Sequence, residues 1–513
     1  MGRSGQRGRH RRGVGRAAWM FALVLVCAPA HADNGVAPDE RVDFDSFGAL
    51  FGSQRDAIQQ LREVQERCFP ETHAGRLQVA RLRATAALLE WIDADEFDRL
   101  PRDEQRRFRY LEPYLRPSDP ELQSDEAARA AAQGALTRYR VLAEQLGPVA
   151  WPDFGIRAEL GIPTHARGEL THAELHRNSM EVRSAVNRIW NWESARFRAA
   201  LEEGNSDEAR DASRMIVAAY RWMASAPFFM GNSFAGSLVS SLCDDVRWGL
   251  EQGLIDHGLV EELAMLLAQV ERWRAPYECV TAVNQGLSLL AHHEQLEVLR
   301  ARHAGRAEDD LDARLMELRD YFLLESDMYQ AFGRADDGSH DLIGIRANFA
   351  AAQASLIERW PDVDGLLQAI LSDGIRNFYM WNAVAVRPHL LVTRTMLAIE
   401  LYRAAEGGYP ETLQALVPRY LAEVPIDPFG GPDSVLGYRV LGDDHTLPVG
   451  TGYALWTIGP NPTPGTGEHD LASIDPQVSG LEAIDSSWLV RDEAPAGAWL
   501  LNHRVEQVAA ESD

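Results

Sequence analysis

Apolar side chains recur every three or four residues across positions 44–390, and this period constrains the fold more than any other property of the chain. Val182, Val186, Ile189, Trp190 and Phe197 fall on one helical face. Leu259, Leu263, Leu266, Leu267 and Val270 fall on another. A strand, which repeats every two residues, cannot keep these sets on one side. Gly204-Asn205 predicts the end of one helix. Ser206, followed by Asp207 and Glu208, predicts the start of the next: the hydroxyl accepts an orphan amide, and the acids suit the positive helix end. Helix, tight polar turn and helix make an antiparallel hairpin. The expected fold is mainly α, a multi-helix array of such hairpins, with no fixed repeat length.

Two stretches interrupt the period. Arg116-Pro117-Ser118-Asp119-Pro120 breaks helix formation twice. Residues 147–168 hold Pro148, Pro152 and Pro163 among glycines, which divides an N-terminal helical region, 33–150, from a central helical domain, 151–390. Near Arg394 the texture changes. Met396, Leu397, Ile399, Leu401 and Tyr402 predict a helix apolar on most sides, and therefore buried, that stops at Gly407-Gly408. Pro410 opens a second short helix with Leu413, Leu416, Val417, Tyr420 and Leu421 as its core stripe. Pro425, Asp427-Pro428 and Gly430-Gly431-Pro432 then force a loop. Strands are expected over 436–441 and 453–458, completing a small α+β unit, 391–465. The tail, 466–513, is rich in proline, glycine and acids and is expected to be loose.

The first 32 residues have the three parts of a secretory leader. Arg3, Arg7, Arg9, Arg11, Arg12 and Arg16 stand without an acid, a short apolar run follows over 17–28, and Ala30-His31-Ala32 offers small residues where a signal peptidase reads. The apolar run is shorter than the roughly 20 residues a membrane span needs. The expectation is therefore a periplasmic or secreted protein whose leader is removed and whose mature part has no membrane span. Losing the six leader arginines takes the formal charge from -25 to -31. So acidic a surface repels phosphate backbones, which argues against nucleic acid as a partner. The chain has no lysine, and this excludes Schiff-base and lysine general-base catalysis. Cys68, Cys243 and Cys279 remain after cleavage. In an oxidising compartment a Cys243–Cys279 bridge between neighbouring helices is the expected pair.

The C-terminal unit carries a resemblance. Ala398-Ile399-Glu400-Leu401-Tyr402, Gly408-Tyr409-Pro410-Glu411-Thr412-Leu413, Val424-Pro425-Ile426-Asp427-Pro428-Phe429-Gly430, Gly437-Tyr438-Arg439 and Ile458-Gly459-Pro460 form an ordered string. It resembles the globular region of the major pseudopilins of type II secretion systems, over roughly a seventh of the chain. The resemblance implies a helix leading through a Tyr-Pro turn and an Asp-Pro-Phe-Gly loop into a tyrosine-bearing strand, and it implies protein partners in the cell envelope. The mature chain as a whole is similar to exported helical proteins of no assigned activity that end in the same unit. Pseudopilins start instead with a short leader followed at once by a long apolar helix that packs into the filament core. Their last loop carries acids that bind calcium. Here Asn461 stands at the corresponding place, and the nearest acids are Glu468 and Asp470.

Motifs that could carry chemistry are few. Gly231-Asn232-Ser233-Phe234-Ala235 approximates a nucleophile elbow, but such an elbow needs a strand before it and a helix after it. His172 and His176 lie one helical turn apart and could share a metal, with His165 upstream, although the glutamate between them is at the wrong offset for H-E-x-x-H. Asp93, Asp95, Glu96 and Asp98 make an acidic knot in which Asp98 takes the place a calcium loop reserves for glycine. Trp190, Trp192, Trp222, Trp248 and Trp273 sit in helical stretches, as core fillers or as the wall of a ligand groove. No cofactor is implied. The expected function is a non-enzymatic scaffold that displays the pseudopilin-like unit to envelope proteins. The alternatives are a periplasmic hydrolase with its site in a helical groove, using Ser233 or paired carboxylates, and a cation-binding protein.

Overall fold

A computed structural model of the chain describes residues 125–146, 172–225, 229–270, 277–303, 341–360, 386–430, 434–441, 452–457 and 499–500, with scattered helical positions at 59–63, at 114 and between 319 and 335. The leader, both predicted linkers and the acidic knot at 93–98 lie outside the described residues. The described part is mostly helical with one small antiparallel sheet. The helices are α1 (Glu126–Leu146), α2 (His172–Glu202), α3 (Ser206–Ser225), α4 (Phe229–Glu251), α5 (His257–Leu267), α6 (Tyr277–His303), α7 (Leu342–Arg359) and α8 (Val386–Glu406). None of the described helices is long and apolar enough to cross a membrane.

The α2–α3 hairpin forms where the sequence predicts it. Gly204 closes α2 with φ 69°, a left-handed turn that glycine adopts without steric cost. The cap lies one residue earlier than expected: the Asn205 side-chain oxygen Oδ1 accepts from the Glu208 N–H at 3.2 Å, and Ser206 is already helical. Helix α3 packs on α2, α4 and α5, and α8 closes over α4 and α5. Val186, Ile189, Trp192 and Phe197 from α2 meet Ile216, Val217 and Tyr220 from α3 and Leu259, Leu263 and Leu267 from α5 in one buried cluster. The aromatic ring of Tyr139, from α1, stacks on Trp192 at 4.9 Å.

A second buried cluster lies at the C-terminal end. Phe332 and Phe349 stack at 5.8 Å and join Met396 and Ile399 of α8, Leu416, Phe429, Leu436, Tyr453 and Leu455. Helix α8 serves both clusters. Leu390 and Leu397 point into the first, and Val392, Met396, Ala398 and Ile399 into the second. This accounts for the helix being apolar on most sides. The helix also runs through position 390/391, where the sequence suggested a domain boundary.

Three expectations for the C-terminal unit are corrected or refined. The second short helix is only a single 3-10 turn, Leu413–Leu416, because Val417 is extended ahead of Pro418, a position where proline disfavours the helical conformation. The strands are β1 (Gly437–Val440) and β2 (Tyr453–Thr457), paired antiparallel with Gly437 opposite Trp456 and Val440 opposite Tyr453. The tail is not wholly loose: Trp499–Leu500 returns as β3 and pairs with Thr457 and Trp456, giving the order β1-β2-β3.

Candidate functional site

Three polar groupings are built into the apolar frame. The first lies where α1 meets α2 and α3. The Tyr139 hydroxyl donates to the Glu193 carboxylate, and both side chains are buried. Arg196, one turn along α2, donates to Glu193 at 3.0 Å and through its Nε to Glu208 of α3 at 3.1 Å. Arg140 of α1 bonds the same Glu208 oxygen at 2.7 Å and holds Glu203 with two bonds, at 2.9 and 3.2 Å. Burial pushes the Glu193 carboxyl up to about 7, against the pull of Arg196 and Tyr139. Burial and the neighbouring carboxylate hold the Tyr139 hydroxyl well above the usual phenol range, so it stays a donor.

The second grouping fastens α4 to α8. One Asp244 carboxylate oxygen is shared by the Arg247 guanidinium and by His389 Nδ1, the latter at 3.1 Å. Arg198 of α2 forms a buried ion pair with Asp245 and lies 4.6 Å over the Trp248 ring. Cys243, on the adjoining face of α4, is a free buried thiol, so the expected bridge to Cys279 is not formed. Burial pushes this thiol up to about 12, which leaves it a protonated small hydrophobe.

The third grouping is the Asp-Pro-Phe-Gly loop. Asp427 is fully buried, and its carboxylate accepts from the Phe429 N–H at 2.9 Å and from the Thr457 hydroxyl of β2. The Pro428 carbonyl accepts from the Leu342 N–H at the start of α7, at 2.9 Å. The loop therefore ties the sheet to the helical frame. Beside it, a cleft of about 160 Å³ opens between α8 and residues 421–426, lined by Leu391, Thr395, Val424 and Ile426 with Arg394 and Glu423 as its charged members.

The residues singled out from the sequence do not converge. Ser233 lies inside α4, so no strand-turn-helix elbow forms around it. His172 and His176 open α2 and Cys279 lies near the start of α6, with side chains outside the described residues, as are Glu468 and Asp470 altogether. Among the described residues no three histidine, cysteine, aspartate or glutamate side chains gather as a metal would require. Of the tryptophans, Trp192 is a core filler and Trp190 and Trp248 pack partly buried against the first cluster. Tyr139, Glu193, Asp244 and His389 escaped the sequence reading. Their partners lie 54 and 145 positions apart, and no local spacing signals such pairs.

No family model matches this chain, and no curated protein or solved structure matches it either.

Proposed function

We propose that this protein is an exported scaffold of the cell envelope, whose helical body carries a pseudopilin-like unit and presents it to other envelope proteins. The observation that carries the reading is the wiring of the Asp427 loop. Asp427 anchors Phe429 and Thr457 while Pro428 accepts from α7, so the unit has the helical body as its foundation. A unit fixed in this way keeps the outer strand β1 in a constant orientation, and Val440 stands exposed at its end. The buried carboxylates outside the unit are held by guanidinium and tyrosine partners, as in a structural ion-pair network.

The test is affinity capture of envelope proteins on the full chain and on a Val440→Glu variant, with identification of what is retained. The reading expects pseudopilus-type proteins on the native chain and their loss from the variant. Retention of nothing, or of the same set by both chains, would count against it. A full chain recovered with its leader intact from the cytosol would remove the compartment on which the reading depends.

A further inference from the structure

We propose that α1 is a detachable latch whose grip on the α2–α3 hairpin is set by the protonation of Glu193. The seam between the three helices holds unequal numbers of acidic and basic side chains. Glu193, Glu203 and Glu208 face Arg140 and Arg196 in one continuous chain of hydrogen bonds. Three carboxylates meet two guanidiniums, so the seam carries one negative charge too many; its outer end, Glu203, reaches water, while its inner end, Glu193, is closed off from it. A single proton balances it.

Glu193 is the member placed to take that proton. It is the most enclosed of the three, 2 % exposed against 14 % for Glu208 and 38 % for Glu203. Burial pushes its carboxyl up to about 7. The groups facing it are Tyr139 from α1, Arg196 from its own helix, and Glu208 and Asp211 from α3. Arg196 does not lose its counter-charge when Glu193 is neutral, because its Nε remains bonded to Glu208. Tyr139 stays protonated over the whole range, so the proton that comes and goes belongs to Glu193.

The direction follows. Glu193 is neutral below about pH 7 while α1 is seated. Once charged, it demands water, and Tyr139 with its neighbours Ala135 and Leu136 on α1 forms part of the buried cluster that keeps water out. An acid whose pKa is higher in the closed state than in the open one favours the closed state at low pH, and loses that advantage as pH rises towards the closed-state value. With about 7 for the closed latch and an open state that rehydrates Glu193 back to the ordinary 4.5, the opening equilibrium rises about tenfold between about pH 6 and pH 8.

Hydrogen exchange of the full chain at the two pH values, corrected for the intrinsic change in exchange rate, measures it. Protection of the 126–146 segment should fall about tenfold across the step, while that of α5 is unchanged. Glu193→Gln should abolish the step by fixing the neutral form. Glu208→Gln removes the excess carboxylate without touching Glu193, and should shrink the step. It also serves as the decisive variant if Glu193→Gln fails to fold. Equal protection of the native segment at both pH values overturns the proposal. So does a native step that survives undiminished in every variant that folds.

Discussion

The Asp427 carboxylate is the point at which the C-terminal unit can be broken with least disturbance elsewhere. Asp427→Ala removes the acceptor of two buried donors, the Phe429 N–H and the Thr457 hydroxyl. A buried donor left without a partner costs roughly 1–3 kcal/mol. The amide is fixed in the turn and bears the full penalty, whereas the hydroxyl can rotate to another acceptor, so the expected loss is about 3 kcal/mol. That is a large share of the 5–15 kcal/mol typical of a folded domain. Urea unfolding followed by circular dichroism measures the loss. Hydrogen exchange locates it: β2 and the first turn of α7 should lose protection together, since Pro428 bonds the Leu342 N–H, while α3 keeps its own. Thr457→Val should cost about 1 kcal/mol alone, and less in the Asp427→Ala background, because the orphaned hydroxyl is then gone. A loss below about 0.5 kcal/mol for Asp427→Ala, or strict additivity in the double variant, refutes the reasoning.

Three further outcomes follow from single side chains. A Cβ at Gly437 would land inside the Trp456 indole, so Gly437→Ala should destabilise by about 1–3 kcal/mol in chemical denaturation, and Trp456→Leu in the same chain should relieve part of it. Asp256 caps α5 by accepting from the Leu259 N–H at 2.8 Å, and bonds from Ser206 and from that amide hold its carboxyl below the usual range. Its contribution is therefore present above the ordinary carboxylate range and is lost as pH falls through the depressed value. Asp256→Ala should cost about 1 kcal/mol at neutral pH and progressively less as acid protonates the carboxylate, as read from thermal unfolding at each pH. The Cys243 thiol should resist iodoacetamide at about pH 8 in the native chain and react after denaturation. Labelling of the folded protein at the rate of a free thiol would contradict its burial.

The helical body was legible because burial imposes a period on the sequence. Of the predicted face Leu259, Leu263, Leu266, Leu267 and Val270, four are fully buried and Leu266 is partly buried. The hairpin at Gly204 was legible because left-handed backbone selects glycine. Asn205 took the cap from Ser206 because both residue types can accept the amide, and only the backbone trace decides which stands outside the helix. β3 was missed because strand propensity has little to act on over two residues whose pairing partner lies more than forty positions away. The polar seams were illegible for a different reason. Tyr139 and Glu193 sit on separate helices, and each reads locally as an ordinary helical residue. Only the packing of α1 on α2 gives them a shared environment, and with it the displaced titration of Glu193.

Helix α8 sets the relation between the two halves of the described structure. Its faces are divided between two buried clusters, so neither cluster is complete without it. Separating the C-terminal unit from the helical body would expose Val392, Met396 and Ile399, each fully buried or nearly so. At about 1.5–3 kcal/mol for each large apolar side chain, that exposure alone costs about 5–9 kcal/mol, before the Asp427 and Pro428 bonds are counted. A unit docked by a flexible linker would cost far less to release. The shared helix therefore makes the C-terminal unit an extension of the body rather than an appendage.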